Sequence, residues 1–341
     1  MITQTLQISK QKSPWQRALM EVVTDLKVLA SMIDLELELE EEFKTSFPLR
    51  VPKGFIEKMK KGDRNDPLLL QILPVQHENI ITQNFSLDPV QDLNYNPCSG
   101  ILHKFKNRVL LPISGSCAIN CRYCFRRYFP YDENKPSLNA WDEQLNYIKE
   151  RSEVVEVILS GGDPLMTTDH YLKKLIEKLE TIPHIKYLRI HTRIPIVIPE
   201  RINDSLLSWL KNTRFKTTVV LHCNHPQELC QNIAKGVEAL KNINITVLNQ
   251  SVLLKGINDK VSTLAALSFA LHDHGILPYY INLLDRVQGT HHFQVSPKVS
   301  AELIRDLACE LPGFLLPRFV RDVPGAPHKM VAGVVASESN L

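Results

Sequence analysis

The feature that most constrains this chain is a loop with three cysteines within eight residues, Cys117, Cys121 and Cys124. The CxxxCxxC spacing can wrap three thiolates around one face of a [4Fe–4S] cube, which takes four cysteines when its ligand set is complete. Three thiolates are also one short of a closed structural zinc site. With either metal, one coordination position stays free for another molecule, so the loop predicts a reactive metal centre.

Composition narrows the class of protein. The chain has 341 residues, 44% of them hydrophobic, which is enough for a sizeable core. Its net charge of +3 gives no electrostatic footprint for nucleic acid. We find no run of eighteen apolar residues and no signal-peptide pattern at the start. We therefore expect a cytoplasmic protein without a nucleic-acid or membrane partner.

Cysteine usage supports the same compartment. The chain has seven cysteines, an odd number with three of them clustered, which favours metal binding in a reducing environment over a disulfide framework. Cys98, Cys223, Cys230 and Cys309 are interpreted as ordinary thiols.

The first 95 residues are predicted to form an N-terminal helical extension. Ser13, Pro14 and Gln16 have the pattern of a capped helix start, and apolar residues at helical spacing extend the predicted helix over 13–32. A second short helix is predicted within 43–74, between prolines. We assign no chemistry to this part of the chain.

The second part of the chain, residues 96–341, has a regular alternation. A β-branched run, a turn and a helix-period segment recur six times, which predicts parallel strands with right-handed crossovers. Six units favour a partial (β/α)6-type barrel. The predicted strands are 108–113, 154–159, 186–191, 217–221, 244–248 and 277–281. The predicted helices are 139–150, 168–180, 200–211, 226–241, 259–273 and 298–310.

Polar segments follow each predicted strand. In α/β barrels the loops at the carboxyl ends of the strands carry the reactive groups. In chain order these loops contain the three cysteines, Gly161-Gly162-Asp163, His191-Thr192-Arg193, the segment from His222 to Pro226, Asn249-Gln250-Ser251, and the segment from Asn282 to Asp285. The recurrence at all six strands predicts one shared site.

The cysteine loop and the Gly161-Gly162-Asp163 turn together resemble the radical S-adenosylmethionine superfamily. The resemblance implies that the three cysteines hold a [4Fe–4S] cluster whose fourth iron binds S-adenosylmethionine. Reductive cleavage of that molecule gives a 5′-deoxyadenosyl radical, which removes unactivated hydrogen. Zinc binding is the main alternative for the cysteine motif by itself.

Two further features lie near the predicted rim. Lys329 follows a Pro/Gly turn and precedes a predicted apolar strand at 331–336, an arrangement that suits a Schiff-base lysine for pyridoxal phosphate. Asp285 and Asp322 are two carboxylates that suit the cationic end of a substrate, although surface or helix-capping aspartates are an equal alternative.

Taken together, the chain resembles the lysine 2,3-aminomutase family, from about residue 75 to about 336. The matching segments include 103–110, the cysteine loop with Arg126 and Arg127, 222–226, 249–254 and 322–329. The short members that make β-lysine for modification of elongation factor P are the most similar. The resemblance implies an isomerase that converts (S)-α-lysine to (R)-β-lysine, with a cluster, S-adenosylmethionine and pyridoxal 5′-phosphate as cofactors.

The resemblance also implies a role for each site residue. Cys117, Cys121 and Cys124 would hold the cluster, and Lys329 would hold pyridoxal phosphate. The remaining roles are phosphate contact for Lys104 and Arg108, substrate carboxylate binding for Arg126, distal ammonium binding for Asp285 and Asp322, and S-adenosylmethionine binding for Gly161, Gly162, Asp163, His222 and Gln250.

The implied partners are lysine, a reductase or flavodoxin-type electron donor, and a functional link to elongation factor P and its lysyl ligase. Two alternatives stay open. One is an aminomutase for another amino acid, although Asp285 and Asp322 argue against an acidic substrate. The other is a metal-binding interaction module without turnover.

Overall fold

A nine-stranded sheet organises the computed structural model, which describes residues 12–36, 47–134 and 141–333. The strands are neighbours in chain order, with β2 to β8 parallel and the two edge strands antiparallel to them. The strands are β1 (Leu102–Phe105), β2 (Arg108–Ser114), β3 (Glu156–Gly161), β4 (Tyr187–Thr192), β5 (Lys216–His222), β6 (Thr246–Leu253), β7 (Leu277–Leu283), β8 (Arg318–Arg321) and β9 (Met330–Val331).

Helices connect the parallel strands, as the alternating pattern predicts. The helices are α1 (Pro14–Met20), α2 (Leu26–Met32), α3 (Lys53–Ile56), α4 (Pro67–Leu70), α5 (Tyr131–Asn134), α6 (Asp142–Lys149), α7 (Asp169–Glu180), α8 (Ile194–Val197), α9 (Asp204–Asn212), α10 (Gln231–Asn242), α11 (Val261–Asp273) and α12 (Pro297–Glu310). All six predicted strands and the six predicted helices are present, and the topology confirms a partial α/β barrel.

Alternation along β4 shows how these strands separate core from cavity. Leu188 and Ile190 are buried in the main hydrophobic cluster, whereas Arg189 and His191 line an internal cavity. Successive side chains of a strand point to opposite faces, so one face packs on the helices and the other stays polar. The polar residues inside the barrel are therefore placed by the strand period.

The predicted helix over 13–32 is interrupted. Gln16 Oε1 accepts from the Ser13 backbone N–H at 3.0 Å as expected, but α1 ends at Met20. Val23 then exchanges backbone hydrogen bonds with Val51 at 2.8 and 3.0 Å. The β-branched residues at 22–24 favour this extended segment, so the continuous-helix prediction was wrong there.

The described residues before position 95 pack on the barrel. Trp15, Leu29 and Phe55 belong to the same buried cluster as the strand residues Val109 and Ile190. The boundary at residue 95 stays a prediction, because this packing gives the two parts one common core. The segment 43–74 contributes α3 and α4, each a single turn.

The end of the described chain meets the prediction only in part. The apolar strand predicted at 331–336 corresponds to β9, which pairs with β8. Residues 334–336 lie outside the described residues. No helix within the described ranges is long and apolar enough to cross a membrane.

Candidate active site

The barrel encloses a cavity of about 620 Å³. Every site residue predicted from the sequence lines it, and the set is Lys104, Arg108, Cys117, Cys121, Cys124, Arg126, Gly161, Gly162, Asp163, His222, Gln250, Asp285, Asp322 and Lys329. The strands bring these positions together because most of them lie on or just after the carboxyl ends of parallel strands. The shared placement is a structural fact, whereas the role of each residue stays a prediction.

The cysteine loop is held from outside by the N-terminal part of the chain. Arg50 Nε donates to the carbonyl of Cys117 at 2.8 Å, and the N–H of Asn120 donates to the carbonyl of Arg50 at 2.9 Å. The N–H of Arg122 donates to the carbonyl of Gln71 at 2.9 Å. These bonds fix the loop backbone between two elements that precede the barrel, so residues 47–78 do contribute to the site.

A buried ion pair fixes the same loop. Arg122 has no exposed side-chain surface and donates through Nε to Glu78 Oε1 at 2.7 Å. Arg127 Nη2 donates to Glu78 Oε2, also at 2.7 Å. Two guanidinium groups share one carboxylate, and removing it would leave buried positive charge without compensation.

The three thiols have the chemistry of a cluster site. Burial and the neighbouring Asp163 carboxylate raise the pKa of Cys117 well above its ordinary value, and burial with Cys121 raises the pKa of Cys124 to about 11. What fits a metal group is the donor set itself, because three sulfur atoms from one short loop line the same cavity, as the thiolate ligands of an iron–sulfur cluster require.

The turn after β3 approaches the cysteine loop too closely for side chains. A Cβ at Gly162 would lie 2.5 Å from the carbonyl oxygen of Ser116, and one at Gly161 would lie 2.8 Å from that of Ser114. Gly161 also has a φ of +109°, which disfavours other residues. Only glycines permit this approach, so the turn and the metal loop form one backbone unit.

Asp163 secures that unit to the next strand. Its carboxylate accepts from the Thr192 hydroxyl at 2.8 Å and from the N–H groups of Arg193 at 2.7 Å and Leu165 at 3.0 Å. Burial raises the pKa of Asp163 to about 6, although these hydrogen bonds oppose the change. The carboxylate is ionised at neutral pH and holds the loop after β4 beside the glycine turn.

His222 and Gln250 are neighbours across β5 and β6, where they are register partners. The His222 ring stacks on Tyr123 at 5.7 Å between centroids, and its Nε2 lies 3.1 Å from the Tyr123 hydroxyl. Burial, reinforced by Arg193, lowers the pKa of His222 to about 3. This imidazole is neutral and suits hydrogen bonding to a polar ligand.

A second group of residues surrounds Lys329. Its Nζ lies 3.3 Å from Asn282 Oδ1 and 3.4 Å from Asp322 Oδ2. Lys104 Nζ donates to the other oxygen of Asp322 at 3.3 Å and to the Val90 carbonyl at 2.7 Å. Asp322 thus joins the two lysines that were predicted to bind the same cofactor.

Arg126 and Asp285 complete this group. Arg126 Nε donates to Asp92 Oδ2 at 2.7 Å, and Lys104 Nζ lies 3.7 Å from Asp92 Oδ1. Burial opposes ionisation of Asp92, but the charges of Arg126 and Lys104 outweigh it and lower the pKa of this carboxyl. Burial raises the pKa of Asp285 to about 6, partly offset by Lys329.

Arg108 lies at the start of β2, so it reaches the cavity from the opposite end of the strand. Its Nη1 donates to Asn107 Oδ1 at 2.9 Å, and its guanidinium lies 4.2 Å from the Phe105 ring. Nearby, Arg189 and Glu156 form a bidentate pair with two bonds of 2.8 Å. Burial and the Arg189 charge lower the pKa of Arg108.

Sequence reasoning assigned no role to two residues that the structure places at the site. Asp92 belongs to a segment without periodicity or motif, so no signal identified it. Arg193 was visible as a polar residue after the third predicted strand, but nothing in the sequence showed its contacts. Both are side chains whose partners come from distant parts of the chain.

Comparison with known proteins gives one family. The family model of the radical SAM superfamily matches residues 111–267. The chain is 45% identical to an L-lysine 2,3-aminomutase of Haemophilus influenzae, over 94% of this chain and 96% of that protein. It is 43% identical to an L-lysine 2,3-aminomutase of Escherichia coli, over 93% of this chain and 94% of that protein.

A longer relative is also similar. The chain is 32% identical to an L-lysine 2,3-aminomutase of Clostridium subterminale, over 96% of this chain but only 79% of that protein. The match therefore extends over nearly the whole of this chain with both short and long relatives.

Proposed function

Because the chain belongs to the lysine 2,3-aminomutase family of radical S-adenosylmethionine enzymes, we propose that it uses pyridoxal phosphate to convert (S)-α-lysine to (R)-β-lysine. The family relationship confirms the predicted isomerase class, the [4Fe–4S] cluster and S-adenosylmethionine. Pyridoxal phosphate dependence, the direction of the reaction and the residue roles are the proposal.

The bound groups would supply the difficult chemistry, namely a 5′-deoxyadenosyl radical from S-adenosylmethionine and the cluster, and an electron sink from pyridoxal phosphate. Cys117, Cys121 and Cys124 would hold the cluster, and the glycine turn with His222 and Gln250 would border S-adenosylmethionine. The protein's own contribution is to bind, orient and enclose the reactants.

The observation that carries the proposal is the position of Lys329. Its amine lies in the cavity that the three cysteines also line, and its side chain is 29% exposed. Most lysines extend into solvent. A lysine that lines a cavity and has Asn282 and Asp322 as its polar partners among the described residues suits a covalent cofactor site. Radical generation and amine activation would then share one enclosed space.

The charges of the cavity match a basic amino acid. Arg126 offers a planar cation to a carboxylate, while Asp285 and Asp322 offer negative charge to an ammonium group. An acidic substrate would place a second carboxylate against these aspartates. This arrangement supports lysine over glutamate or aspartate and addresses the alternative of another amino-acid substrate.

The test is an anaerobic assay of the reconstituted enzyme with labelled lysine, dithionite and S-adenosylmethionine, read for β-lysine and its configuration. Lys329→Ala should abolish β-lysine formation. It should also abolish covalent attachment of pyridoxal phosphate, which in the wild type is fixed by borohydride to the peptide that contains Lys329. Lys255→Ala, which changes an exposed lysine outside the cavity, should leave both unchanged. Borohydride-fixed cofactor on Lys329→Ala would contradict the proposal.

We further propose that the enzyme works in the cytoplasm with a reductase or flavodoxin-type electron donor and supplies β-lysine for elongation factor P. The support is the resemblance to short family members and the match over at least 94% of two bacterial relatives. In a strain lacking this gene, acid hydrolysis of elongation factor P should release no β-lysine, as read by chromatography against both isomers, because α- and β-lysine have the same mass. β-Lysine in that hydrolysate would contradict the link without affecting the proposed reaction.

A further inference from the structure

Arg193 is a buried cation that contacts the cysteine loop directly. Its Nη1 donates to Cys121 Sγ at 2.7 Å, and the residue is only 6% exposed. It lines the cavity between the metal loop and the Asp163 carboxylate, which accepts from its backbone N–H at 2.7 Å. A full positive charge is therefore fixed against one predicted cluster ligand.

The opposite edge of the guanidinium is anchored. Nη2 donates to Gln71 Oε1 at 2.7 Å and to Glu228 Oε2 at 3.0 Å, and Nη1 also donates to the Tyr123 hydroxyl. Tyr123 belongs to the cysteine loop, but Gln71 and Glu228 come from two other parts of the chain, so the Nη2 contacts set the position of the guanidinium independently of that loop.

Glu228 is itself fully engaged. Its Oε1 accepts from the N–H groups of Asn224 at 2.9 Å and His225 at 3.1 Å, and from Gln71 Nε2 at 3.1 Å. Its side chain has no exposed surface. A carboxylate with this many donors cannot follow a moving arginine, so Arg193 is held rigidly.

One donor of Arg193 has no protein partner. Its Nε is buried and lacks a hydrogen-bond acceptor among the described residues. Buried donors without acceptors are rare in proteins, because each one loses its hydration. This N–H shares an edge of the planar guanidinium with Nη2, so the contact with the cysteine loop rests on Nη1.

From this geometry we infer that Arg193 is a positioning residue for the cluster, donating to its sulfur atoms and raising its reduction potential. Hydrogen bonds to sulfur and nearby charge are two of the protein's means of setting such potentials. Reduction adds negative charge to the cluster, so a fixed guanidinium stabilises the reduced form. The inference rests on the proposed assignment of Cys121 as a cluster ligand.

The experiment compares Arg193→Lys with Arg201→Lys in the reconstituted protein. Arg201 is a matched control, because it is also buried and bound to Asp169 and the Leu165 carbonyl but does not line the cavity. The readouts are iron per chain and the cluster midpoint potential from an EPR-monitored redox titration.

Arg193→Lys keeps the charge but loses the forked donors, so the ratio of reduced to oxidised cluster at a fixed potential should fall about tenfold. For one electron this corresponds to a midpoint potential lower by about 59 mV. Arg201→Lys should match the wild type. An unchanged potential in Arg193→Lys, or an equal shift in both variants, would overturn the inference. Loss of iron in Arg193→Lys alone, with the fold retained, would support a positioning role.

A second variant applies if Arg193→Lys does not fold. Gln71→Met removes an acceptor of Arg193 Nη2 without changing any charge and should lower the midpoint potential, as in Arg193→Lys, because the guanidinium loses an anchor. An unchanged or higher potential in Gln71→Met would overturn the inference. Cys121→Ala tests the proposed ligand assignment separately from the role of Arg193. Normal iron content in that variant would reject Cys121 as a cluster ligand.

Discussion

Two groups of residues share the cavity and are built in different ways. The cysteine group (Cys117, Cys121, Cys124, Gly161–Asp163 and Arg193) is fixed by backbone contacts and by hydrogen bonds to distant residues. The lysine group (Asp92, Lys104, Arg126, Asp285, Asp322 and Lys329) is largely joined by ion pairs between its own members.

The two groups should respond differently when ligands bind. The cysteine group presents a preformed shape with little freedom, as expected for a metal cluster. In the lysine group, Asp322 contacts both Lys104 and Lys329, and Asp92 contacts both Arg126 and Lys104. A substrate ammonium or a cofactor phosphate must exchange partners with these pairs. Substitutions in the two groups should therefore have separable effects.

The largest expected effect comes from breaking each group at its reactive residue. Cys124→Ala should lose iron yet retain borohydride-fixed pyridoxal phosphate on Lys329. Lys329→Ala should retain iron and lose the fixed pyridoxal phosphate. β-Lysine formation should fall by more than about a thousandfold in both, since each residue is essential to a unit that acts as a whole. Iron analysis and peptide mass spectrometry provide the two readouts.

Cys230→Ala is the control for this pair, because Cys230 is a free cysteine that does not line the cavity. It should keep both iron and cofactor. If Cys124→Ala and Lys329→Ala each lost both groups while remaining folded, the two halves of the cavity would be interdependent and the comparison would fail.

The next effect is on the ammonium-binding carboxylates. Asp285→Asn should weaken lysine binding by about 3 kcal/mol, or about a hundredfold, because an ammonium group would lose its buried counter-charge. S-adenosylmethionine binding should change far less. Equal losses for both ligands, measured by equilibrium binding to the anaerobic enzyme, would argue against contact with the ammonium group.

The same carboxyl predicts a pH dependence. Burial raises the pKa of Asp285 to about 6, so this carboxyl becomes neutral as the pH falls through that value. The ionised form attracts the substrate, and kcat/KM reports groups of the free enzyme. We expect kcat/KM for lysine to fall below pH 6 in the wild type. The fall should be less steep in Asp285→Asn, where Asp163, whose pKa burial also raises to about 6, is the carboxyl of the site that still titrates there.

A smaller effect is expected from adding one methyl group to the cysteine group. In Gly162→Ala the new Cβ would meet the Ser116 carbonyl at 2.5 Å, and only backbone can move to relieve it. Overpacking of this kind lowers the free energy of unfolding by about 2 kcal/mol, so the melting temperature should fall. S-adenosylmethionine affinity should fall as well, because relief of the contact moves the backbone that borders its site. Gly313→Ala meets no atom within 4 Å and should bind normally. Wild-type affinity in Gly162→Ala would contradict a backbone-defined pocket.

The sequence predicted the barrel because hydrophobic period and turn residues are local signals. All six predicted strands of the alternating region are present, and most of the predicted site residues lie on or just after the carboxyl ends of parallel strands, with Lys104 and Arg108 as exceptions. The break after Met20 was missed because Val23 pairs with Val51, a partner 28 positions away that helical spacing does not reveal.

Contacts between residues far apart in the chain also limited the prediction of the cavity. Cys117 and Gly162 belong to motifs, and Lys329 was identified by its turn and by resemblance. Arg193 and Asp92 depend on contacts such as Cys121 and Arg126, 72 and 34 positions away, that only the folded chain creates. Local patterns therefore located the residues proposed to react, and the tertiary structure was needed to find the residues that contact them.

Asp92 offers the finest test of how the lysine group is held together. Asp92→Asn removes the charge that Arg126 Nε contacts at 2.7 Å, but Arg126 keeps a 3.4 Å contact with the Ser160 hydroxyl and Lys104 keeps Asp322. Because a hydrogen bond to a charged group is worth about 1.5 kcal/mol, KM for lysine should rise about tenfold while iron content and the cluster potential stay unchanged. The neutral control Asn94→Ala changes an exposed side chain two positions away and should leave KM as it is. A loss of iron in Asp92→Asn would mean that Asp92 supports the cysteine group as well, and the division of the cavity into two independently held groups would have to be withdrawn.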